Sequence, residues 1–312
     1  MKVLAHLLTL CVVMVASRSG TVPAAQRDNR TVRVAAAAPA APEPAAEPFV
    51  APKRIQSRSG KVFLVPQNCL AGRERYDLLI HFHGVPDPIE RGVNQAKLDA
   101  VVAIVNHGVS SSSYRNPYDY PKAFSHLVGA IDRFVNQECP NGGRKRAGRI
   151  ALSAWSAGYQ AVYRMLRREN DAGRVDAVLL ADGLHAALSS KRPRALGELT
   201  LQPFVDLAAR ATKGRALFAL THSAIPTPTY ASTTETADYL LHSLSLDRRE
   251  PSGAKGTRTG RGGRLELDSQ AIRGGFSVRG FHGMRAADHA HHLKDIGYTL
   301  LPLLSERWKP RP

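Results

Sequence analysis

The sequence predicts an α/β fold in which a mostly parallel central sheet is covered by helices on both faces. Two observations predict it. Short apolar runs alternate with segments of helical periodicity from residue 60 onward. The runs are continuously apolar, which is typical of strands that are buried on both faces. Functional residues are therefore expected at the carboxyl ends of the strands, where such sheets bind ligands.

The individual elements follow from these patterns. Strands are expected at residues 78–82, 101–105, 149–155, 175–182, 216–222 and 275–281. Helices are expected at residues 86–97, 123–137, 157–168 and 289–304. The helix at 123–137 has the clearest signal, because its apolar residues recur at spacings of three, four and seven.

The first residues are expected to be removed before the protein functions. Residues 1–24 are predicted to be a secretory signal peptide, since the apolar run Val3–Ala16 is too short to span a bilayer comfortably. An uncleaved anchor helix is the alternative. Residues 25–55 are rich in Ala and Pro and are expected to form a disordered linker. Residues 56–312 remain as the folded domain of a secreted or periplasmic protein, with no further membrane-spanning segment expected.

An exported chain has a consequence for the cysteines. Cys69 and Cys139 are the two that lie outside the expected signal peptide, and an oxidising compartment would let them form a disulfide. Two independent buried thiols are the alternative. Three cysteines in all are too few for a disulfide-built scaffold or a cysteine-rich zinc site.

The chain is strongly basic, with 43 Lys and Arg against 26 Asp and Glu and a formal charge of +17. Basic residues cluster at 142–149, 191–194 and 248–264. Such runs can bind anionic envelope polymers by counterion release. No aromatic residues alternate with these charges, so specific binding of nucleic acid is not expected, and a solvated basic surface is the simpler interpretation.

The segment RIALSAWSAGYQAVYRML contains the strongest functional signal. A predicted strand ends at Trp155, Ser156 follows at once, and a helix begins. The small residues Ala154, Ala157 and Gly158 permit a sharp turn, which would hold the serine hydroxyl clear of the sheet edge. The pattern is Gly-x-Ser-x-Gly with alanine in the first position. A serine that only caps the helix is the alternative.

In this pattern the chain resembles the α/β-hydrolase superfamily, and in particular its serine esterases and lipases. The resemblance covers roughly residues 61–307 and concerns the order of motifs, not close identity. It implies the α/β-hydrolase fold and a catalytic domain over residues 56–312. It also implies a serine, an acid and a histidine in that chain order, with an oxyanion loop upstream.

The upstream loop matches HFHGVP, directly after the strand at 78–82. Its glycine would let backbone amides approach a substrate oxygen. The resemblance therefore implies that the amides of Gly84 or Val85, together with that of Ala157, form the oxyanion hole. A tight turn with a structural histidine is the alternative.

The catalytic histidine should follow the last strand, where the sequence offers the cluster HAHH. His289 fits best, since Ile296, Leu300 and Leu303 then face the core at helical spacing. His292, one turn further on, is the alternative histidine. A zinc site in this cluster is a further alternative, but it would leave the serine turn unexplained.

Asp182 is the expected acid, at the end of the strand that follows the serine helix. In most relatives the acid follows the next strand, but here that strand leads into THSAIPTPTYASTTE, with no carboxylate before Glu235. Asp182 would accept the second N–H of the histidine and stabilise the imidazolium. A strand-end aspartate that binds a turn amide is the alternative.

The resulting hypothesis is a secreted serine hydrolase that cleaves an ester through an acyl-serine, with a small-molecule or peptide acyl substrate and no cofactor or metal. The expected pocket residues are His83, Trp155, His185, His222 and Tyr230. Two alternatives remain. One is an amidase or peptidase acting on cell-wall or extracellular peptides. The other is a non-catalytic protein that binds anionic envelope polymers.

Overall fold

The computed structural model describes residues 48–141, 143–188, 196, 200–251, 258–261 and 263–309. The expected signal peptide at 1–24 and residues 25–47 of the expected linker lie outside these residues. The basic run 191–194 and part of the run 248–264 also lie outside them.

A large, mostly parallel sheet forms the centre of the domain. The strands in chain order are β1 (Lys53–Gln56), β2 (Val62–Val65), β3 (Arg75–Phe82), β4 (Val101–Val105), β5 (Arg146–Trp155), β6 (Val175–Ala181), β7 (Ala186–Ala187), β8 (Leu217–His222), β9 (Tyr230–Ala231), β10 (Arg258–Thr259), β11 (Leu265–Arg273) and β12 (Phe276–Phe281). Across the sheet the order is β1-β2-β4-β3-β5-β6-β8-β12-β11-β10, while β7 and β9 pair separately. The six strands from β4 to β12 in this order pair in parallel. All six strands expected from the sequence lie in this parallel block.

The helices flank this sheet. In chain order they are α1 (Pro86–Gln95), α2 (Ser111–Arg115), α3 (Ala123–Glu138), α4 (Tyr159–Leu166), α5 (Glu169–Ala172), α6 (Gln202–Thr212), α7 (Thr233–Ser243), α8 (Ala286–Lys294), α9 (Ile296–Thr299) and α10 (Leu301–Trp308). Short 3₁₀ turns occur at Asn116–Tyr118 and Ser156–Gly158. Within the described ranges, every helix is too short or too polar to cross a bilayer.

Two separate hydrophobic cores show that helices cover both faces of the sheet. Leu78 and Ile80 of β3 belong to the core that α3, α4, α6 and α7 complete, whereas Leu79 belongs to the core that α1, α8, α9 and α10 complete. Successive residues of a strand point to opposite faces, so the two cores lie on opposite sides of the sheet. The predicted fold class is therefore confirmed.

The edges of the sheet differ from the prediction. β1 begins at Lys53, inside the segment expected to be a disordered linker up to residue 55. It pairs antiparallel with β2 and is mostly exposed, so it has no apolar run to reveal it. β11 is likewise partly exposed along most of its length and pairs antiparallel with β12. Apolar runs identified six strands that are buried on both faces, but they missed these more exposed strands near the sheet edges and the buried four-residue strand β2.

The last predicted helix is also divided. In place of one helix at 289–304, three short helices follow one another, with breaks at Asp295 and Leu300. Gly297 of α9 packs so closely on α1 that a Cβ atom there would lie 2.5 Å from the Cα atom of Gly92. Pro302 lies at the start of α10, where its missing amide is tolerated.

The predicted disulfide is present. Cys69, in the loop after β2, is bonded to Cys139, which directly follows α3. The bond encloses a loop with a sequence separation of 70 residues. Closing a loop of this length stabilises the folded state by about 4 kcal/mol in the chain-entropy description.

Candidate active site

Ser156 lies in a strained turn at the carboxyl end of β5. Its φ is 48°, in the left-handed region that non-glycine residues rarely adopt. The strand ends at Trp155, a 3₁₀ turn follows, and α4 begins at Tyr159. The turn packs directly against β3 and requires glycine at position 158, because a Cβ atom there would lie 2.3 Å from the carbonyl oxygen of Phe82. The turn predicted around Ser156 is thus present in the structure.

The loop after β6 supports this turn from the other side. A Cβ atom on Gly183 would lie 2.7 Å from the backbone nitrogen of Ser156. Asp182, directly before it, also has a positive φ, of 45°. Sequence analysis did not single out Gly183, although an Asp-Gly pair directly after a strand was a usable signal. The close packing fixes the Asp182 backbone relative to that of Ser156.

The Asp182 carboxylate is buried and fully hydrogen-bonded. Its Oδ2 atom accepts from Nδ1 of His289 at 2.7 Å. Its Oδ1 atom accepts from the amide of Ser223 at 2.8 Å and from the hydroxyl of Thr233 at 2.6 Å. Burial alone would raise the pKa of Asp182, but the hydrogen bonds from His289 and Thr233 outweigh it and hold the pKa well below its usual range. The carboxylate is therefore ionised at neutral pH.

The hydrogen bond to Asp182 fixes the orientation of the His289 ring. It lies in the first half of α8, after the last strand of the sheet. Because Nδ1 donates to the carboxylate, the lone pair of the neutral ring is on Nε2. Ser156, Asp182 and His289 line the same cavity of about 280 Å³. Among the described residues, however, the Ser156 hydroxyl makes no hydrogen bond to His289. Such contacts often form only when substrate is bound.

A strained serine between a central parallel strand and a helix, followed in the chain by an aspartate and a histidine that bond each other, is the arrangement of one superfamily. The chain has the α/β-hydrolase fold. The strand order and the turn at Ser156 establish this from the molecule itself.

Solved structures of hydrolases show a distant likeness. An acylaminoacyl peptidase from Pyrococcus horikoshii aligns over 62% of this chain and 35% of its own, at 14% identity and a TM-score of 0.35. An ester hydrolase from the metagenome of Lake Arreo aligns over 55% of this chain and 64% of its own, at 16% identity and a TM-score of 0.31. An S-formylglutathione hydrolase from Staphylococcus aureus aligns over 62% and 82%, at 14% identity and a TM-score of 0.31.

The aligned region spans about a third of the peptidase and less than two thirds of the ester hydrolase. No protein-family model matches the sequence, and no curated protein matches it. Identities this low carry no information on the chemistry of this chain.

Three rings stack beside the serine turn of this α/β-hydrolase fold. The Trp155 ring lies between those of His83 and His289, with centroid separations of 4.9 and 4.8 Å and interplanar angles of 15° and 28°. Trp155 Nε1 also donates to the backbone carbonyl of His289 at 3.1 Å. His83 and Trp155 are not among the described residues that line the two cavities at Ser156, and their expected place in the pocket stays a prediction. Trp155 holds His289 in place.

The loop predicted to supply the oxyanion hole leaves β3 beside the serine turn. His83 and Gly84 have φ values of 74° and 105°. A Cβ atom on Gly84 would lie 2.6 Å from the end of the Leu293 side chain, and larger residues rarely adopt its φ, so glycine suits this position. The Val85 side chain is exposed and directly precedes α1. Ala157 lines the larger cavity described below. An oxyanion role for the amides of Gly84, Val85 and Ala157 stays a prediction.

Tyr114, which sequence analysis did not single out, ties this loop to its neighbour. Its buried hydroxyl bonds Nδ1 of His83 at 2.9 Å and donates to the side chain of Asn106 at 2.7 Å. It also accepts from the amide of His107 at 3.0 Å. Long-range contacts of this kind leave no periodic signal in a sequence.

Ser156 also opens into a larger cavity of about 590 Å³, on the side of α4. His185 and Tyr230, both expected in the pocket, line this cavity and the smaller one. His222 lines neither. It is buried, and its Nε2 accepts from Arg248 at 2.9 Å, while its expected place in the pocket stays a prediction. Arg248 and Thr234, which are both distant from His222 in the chain, hydrogen-bond to its two ring nitrogens.

The alternative histidine, His292, is turned away from the site. It is 1% exposed, lines neither cavity and bonds the hydroxyl of Thr221 at 2.8 Å through Nδ1. His289 and His292 thus have different partners. Among the described residues, no group of three or more His, Cys, Asp or Glu side chains is arranged to hold a metal ion.

Two buried histidines predict that acid destabilises the protein. Burial lowers the pKa of His81 to about 3 and that of His292 to about 4. In the unfolded chain such rings take up a proton near pH 6.5. The unfolded state therefore binds more protons below that pH, and the free energy of unfolding falls. From pH 7 to pH 5, we expect each ring to cost about 2 kcal/mol.

Urea unfolding at pH 7, 6 and 5 measures this loss. His292→Gln should reduce it by about 2 kcal/mol, because one titrating ring is gone. Thr221→Val, which removes the partner but keeps the ring, should leave the pH dependence nearly as steep. An equal loss in wild type and His292→Gln would contradict the assignment.

Proposed function

We propose that this protein is a serine hydrolase that cleaves an ester through an acyl-serine intermediate. The observation that supports this most is the 2.7 Å hydrogen bond between His289 Nδ1 and the ionised Asp182, at a cavity that Ser156 also lines. That bond leaves the lone pair of Nε2 free to act as a base.

In the proposed reaction, Nε2 of His289 removes the hydroxyl proton of Ser156 as its oxygen attacks the ester carbonyl. Asp182 stabilises the imidazolium that forms. The C–O bond to the leaving group then breaks, and the imidazolium protonates the departing oxygen. Water next attacks the acyl-serine, with His289 again accepting the proton. The bond between the acyl carbon and the Ser156 oxygen then breaks, the imidazolium returns the proton to that oxygen, and the acid product leaves.

The oxyanion of each tetrahedral intermediate would be bound by backbone amides. Ala157 lies in the first turn after β5, where amides have no intrahelical acceptor. The amide of Gly84 or Val85 would supply the second donor, since their loop adjoins the turn at Gly158. All groups in this scheme belong to the protein, so it requires no cofactor.

An amide can be cleaved by the same groups, so an amidase or peptidase acting on cell-wall or extracellular peptides is the closest alternative. We further propose that the protein works outside the cytoplasm. The Cys69–Cys139 disulfide supports this, since such bonds persist mainly in oxidising compartments.

Turnover of p-nitrophenyl acetate and butyrate, compared with matched anilides and peptides, tests this proposal. Wild type should hydrolyse the esters, and Ser156→Ala should lose about 10⁵- to 10⁶-fold in kcat while keeping its unfolding midpoint. Ester turnover that persists in Ser156→Ala would exclude the mechanism. Turnover of anilides alone would favour the amidase.

A second candidate function is binding of an anionic envelope polymer. A cavity of about 750 Å³ is lined by Arg91, Arg261, Arg264 and Lys294. Arg264 pairs with the buried Asp295, but the other three side chains pair with no described residue. Retention on dextran sulfate should weaken as salt rises. It should also fall in Arg261→Gln/Lys294→Gln, and not in the charge-matched Arg75→Gln/Arg133→Gln.

A further inference from the structure

We propose that the substrate of this site carries an anionic group on its acyl part, held by Arg115 and Arg164 in the larger cavity. The proposal rests on the proposed function, because it assigns the acyl side of the same site. A carboxylate or phosphate at the far end of the acyl chain has the required chemistry.

The two cavities at Ser156 divide the substrate between them. His289 lines the smaller cavity and not the larger one. The leaving oxygen must receive its proton from His289, so the leaving group occupies the smaller cavity. The larger cavity, of about 590 Å³, is then left for the acyl group.

The larger cavity is positively charged. Arg115 and Arg164 line it, and none of its described lining residues is Asp or Glu. Arg115 makes no ion pair with a described residue, and its side chain makes only a long 3.4 Å hydrogen bond to Asn116. A guanidinium without a counterion beside a cavity favours an anionic ligand.

The second arginine shares its counterion. One oxygen of Asp119 accepts from Arg164 at 2.8 Å and from Arg167 at 2.6 Å. Two guanidiniums thus share one carboxylate. Burial, followed by the charge of Arg167, lowers the pKa of Arg164, and Arg115 adds to this effect.

Arg164 also has an unused donor. Its side chain is 14% exposed, and its Nε atom is buried with no acceptor among the described residues. A buried donor without a partner costs free energy. An anion in the cavity would relieve the repulsion between the cations.

The position of Arg164 on α4 sets the length of the ligand. Gln160 and Arg164 lie one turn apart on α4, Ser156 lies in the 3₁₀ turn before that helix, and all three line the cavity. Eight residues separate Ser156 from Arg164, and a helical rise over that length spans about 12 Å, so the anion lies on the order of 10 Å from the scissile carbonyl. Tyr159, Tyr163 and Tyr230 line the space between and suit an apolar chain.

A matched pair of esters tests the inference. The mono-p-nitrophenyl ester of suberic acid and p-nitrophenyl octanoate have equal chain length and differ in the terminal carboxylate. For wild type, kcat/KM should be at least about tenfold higher for the suberate ester, as for a charged hydrogen bond. The ester of succinic acid, whose carboxylate is too close to the carbonyl, should show no such gain.

Variants of the two arginines test whether they cause the higher kcat/KM for the suberate ester. Arg115→Gln should remove most of the gain by lowering kcat/KM for the suberate ester towards that for the octanoate ester, and Arg164→Gln should act likewise if it keeps its unfolding midpoint. Arg133→Gln, on the exposed face of α3, is the charge-matched control and should keep the gain. Equal kcat/KM for the suberate and octanoate esters, or a gain that survives in Arg115→Gln, would overturn the inference.

Binding of free suberate to Ser156→Ala, measured by calorimetry, gives a readout that does not need catalysis. It should be tighter than binding of octanoate, and the difference should vanish when Arg115→Gln is added. Absent turnover with this binding pattern intact would contradict the hydrolase and leave the anion site standing. Turnover of the octanoate ester without preferential suberate binding would contradict the anion site and leave the hydrolase standing.

Discussion

His289→Ala should lower kcat for a p-nitrophenyl ester about as much as Ser156→Ala does, by about 10⁵- to 10⁶-fold. Without the imidazole, the serine loses the base that Asp182 orients. His292 is buried against Thr221 and lines neither cavity, and His185, which lines both, bonds the backbone carbonyl of Ala231 and no carboxylate. Ser156 and His289 act as one unit in the proposed mechanism. The double variant should therefore be no slower than either single variant.

Initial rates of the three variants, under saturating ester, measure this prediction. His282→Ala is the matched control, because it removes an exposed histidine that pairs with Asp268 outside the site. It should keep nearly full activity. Full activity in His289→Ala would refute the assignment of the base, and additive losses in the double variant would refute the shared step.

Asp182→Asn should lower kcat by about 10⁴-fold. The carboxylate accepts from Nδ1 of His289, which keeps the lone pair on Nε2. An amide nitrogen at the same place donates instead, so it favours the tautomer in which Nε2 carries the proton. The general base would then be lost although the ring stays in place.

Thr233→Val is the control for this change. It removes the hydroxyl that donates to Asp182 at 2.6 Å but keeps the carboxylate and the amide of Ser223. Loss of one such hydrogen bond should cost about tenfold or less. A loss below tenfold in Asp182→Asn, in a protein that still unfolds at the wild-type midpoint, would show that Asp182 has only a structural role.

Much of the parallel sheet could be predicted because its strands are buried on both faces. Their apolar runs, such as VVAIV in β4, record that burial directly. β1 at the sheet edge and β11 next to the other edge carry mixed, partly exposed residues and give no such signal. The last helix breaks at Asp295, and Gly297 beyond the break packs closely on Gly92, a contact that apolar spacing does not reveal.

In the candidate site, too, features set by neighbouring residues could be predicted, and features set by contacts between distant residues could not. The turn at Ser156 depends on small residues next to each other in the chain, so the sequence displays it. The pairing of Asp182 with His289 followed from chain order and strand ends. The roles of Trp155 and His222 did not, because they depend on partners far away in the chain. His289 stacks on Trp155, and Arg248 donates to His222. No local pattern encodes such contacts.

The central claim is that Ser156 is a nucleophile activated by His289, and covalent labelling with a fluorophosphonate tests it most directly. The intact mass of wild type should rise by one adduct, and peptide mapping should place it on Ser156. Ser156→Ala should take up none, and His289→Ala should react far more slowly. A folded wild-type protein that stays unlabelled, or an adduct on another residue, would contradict the account.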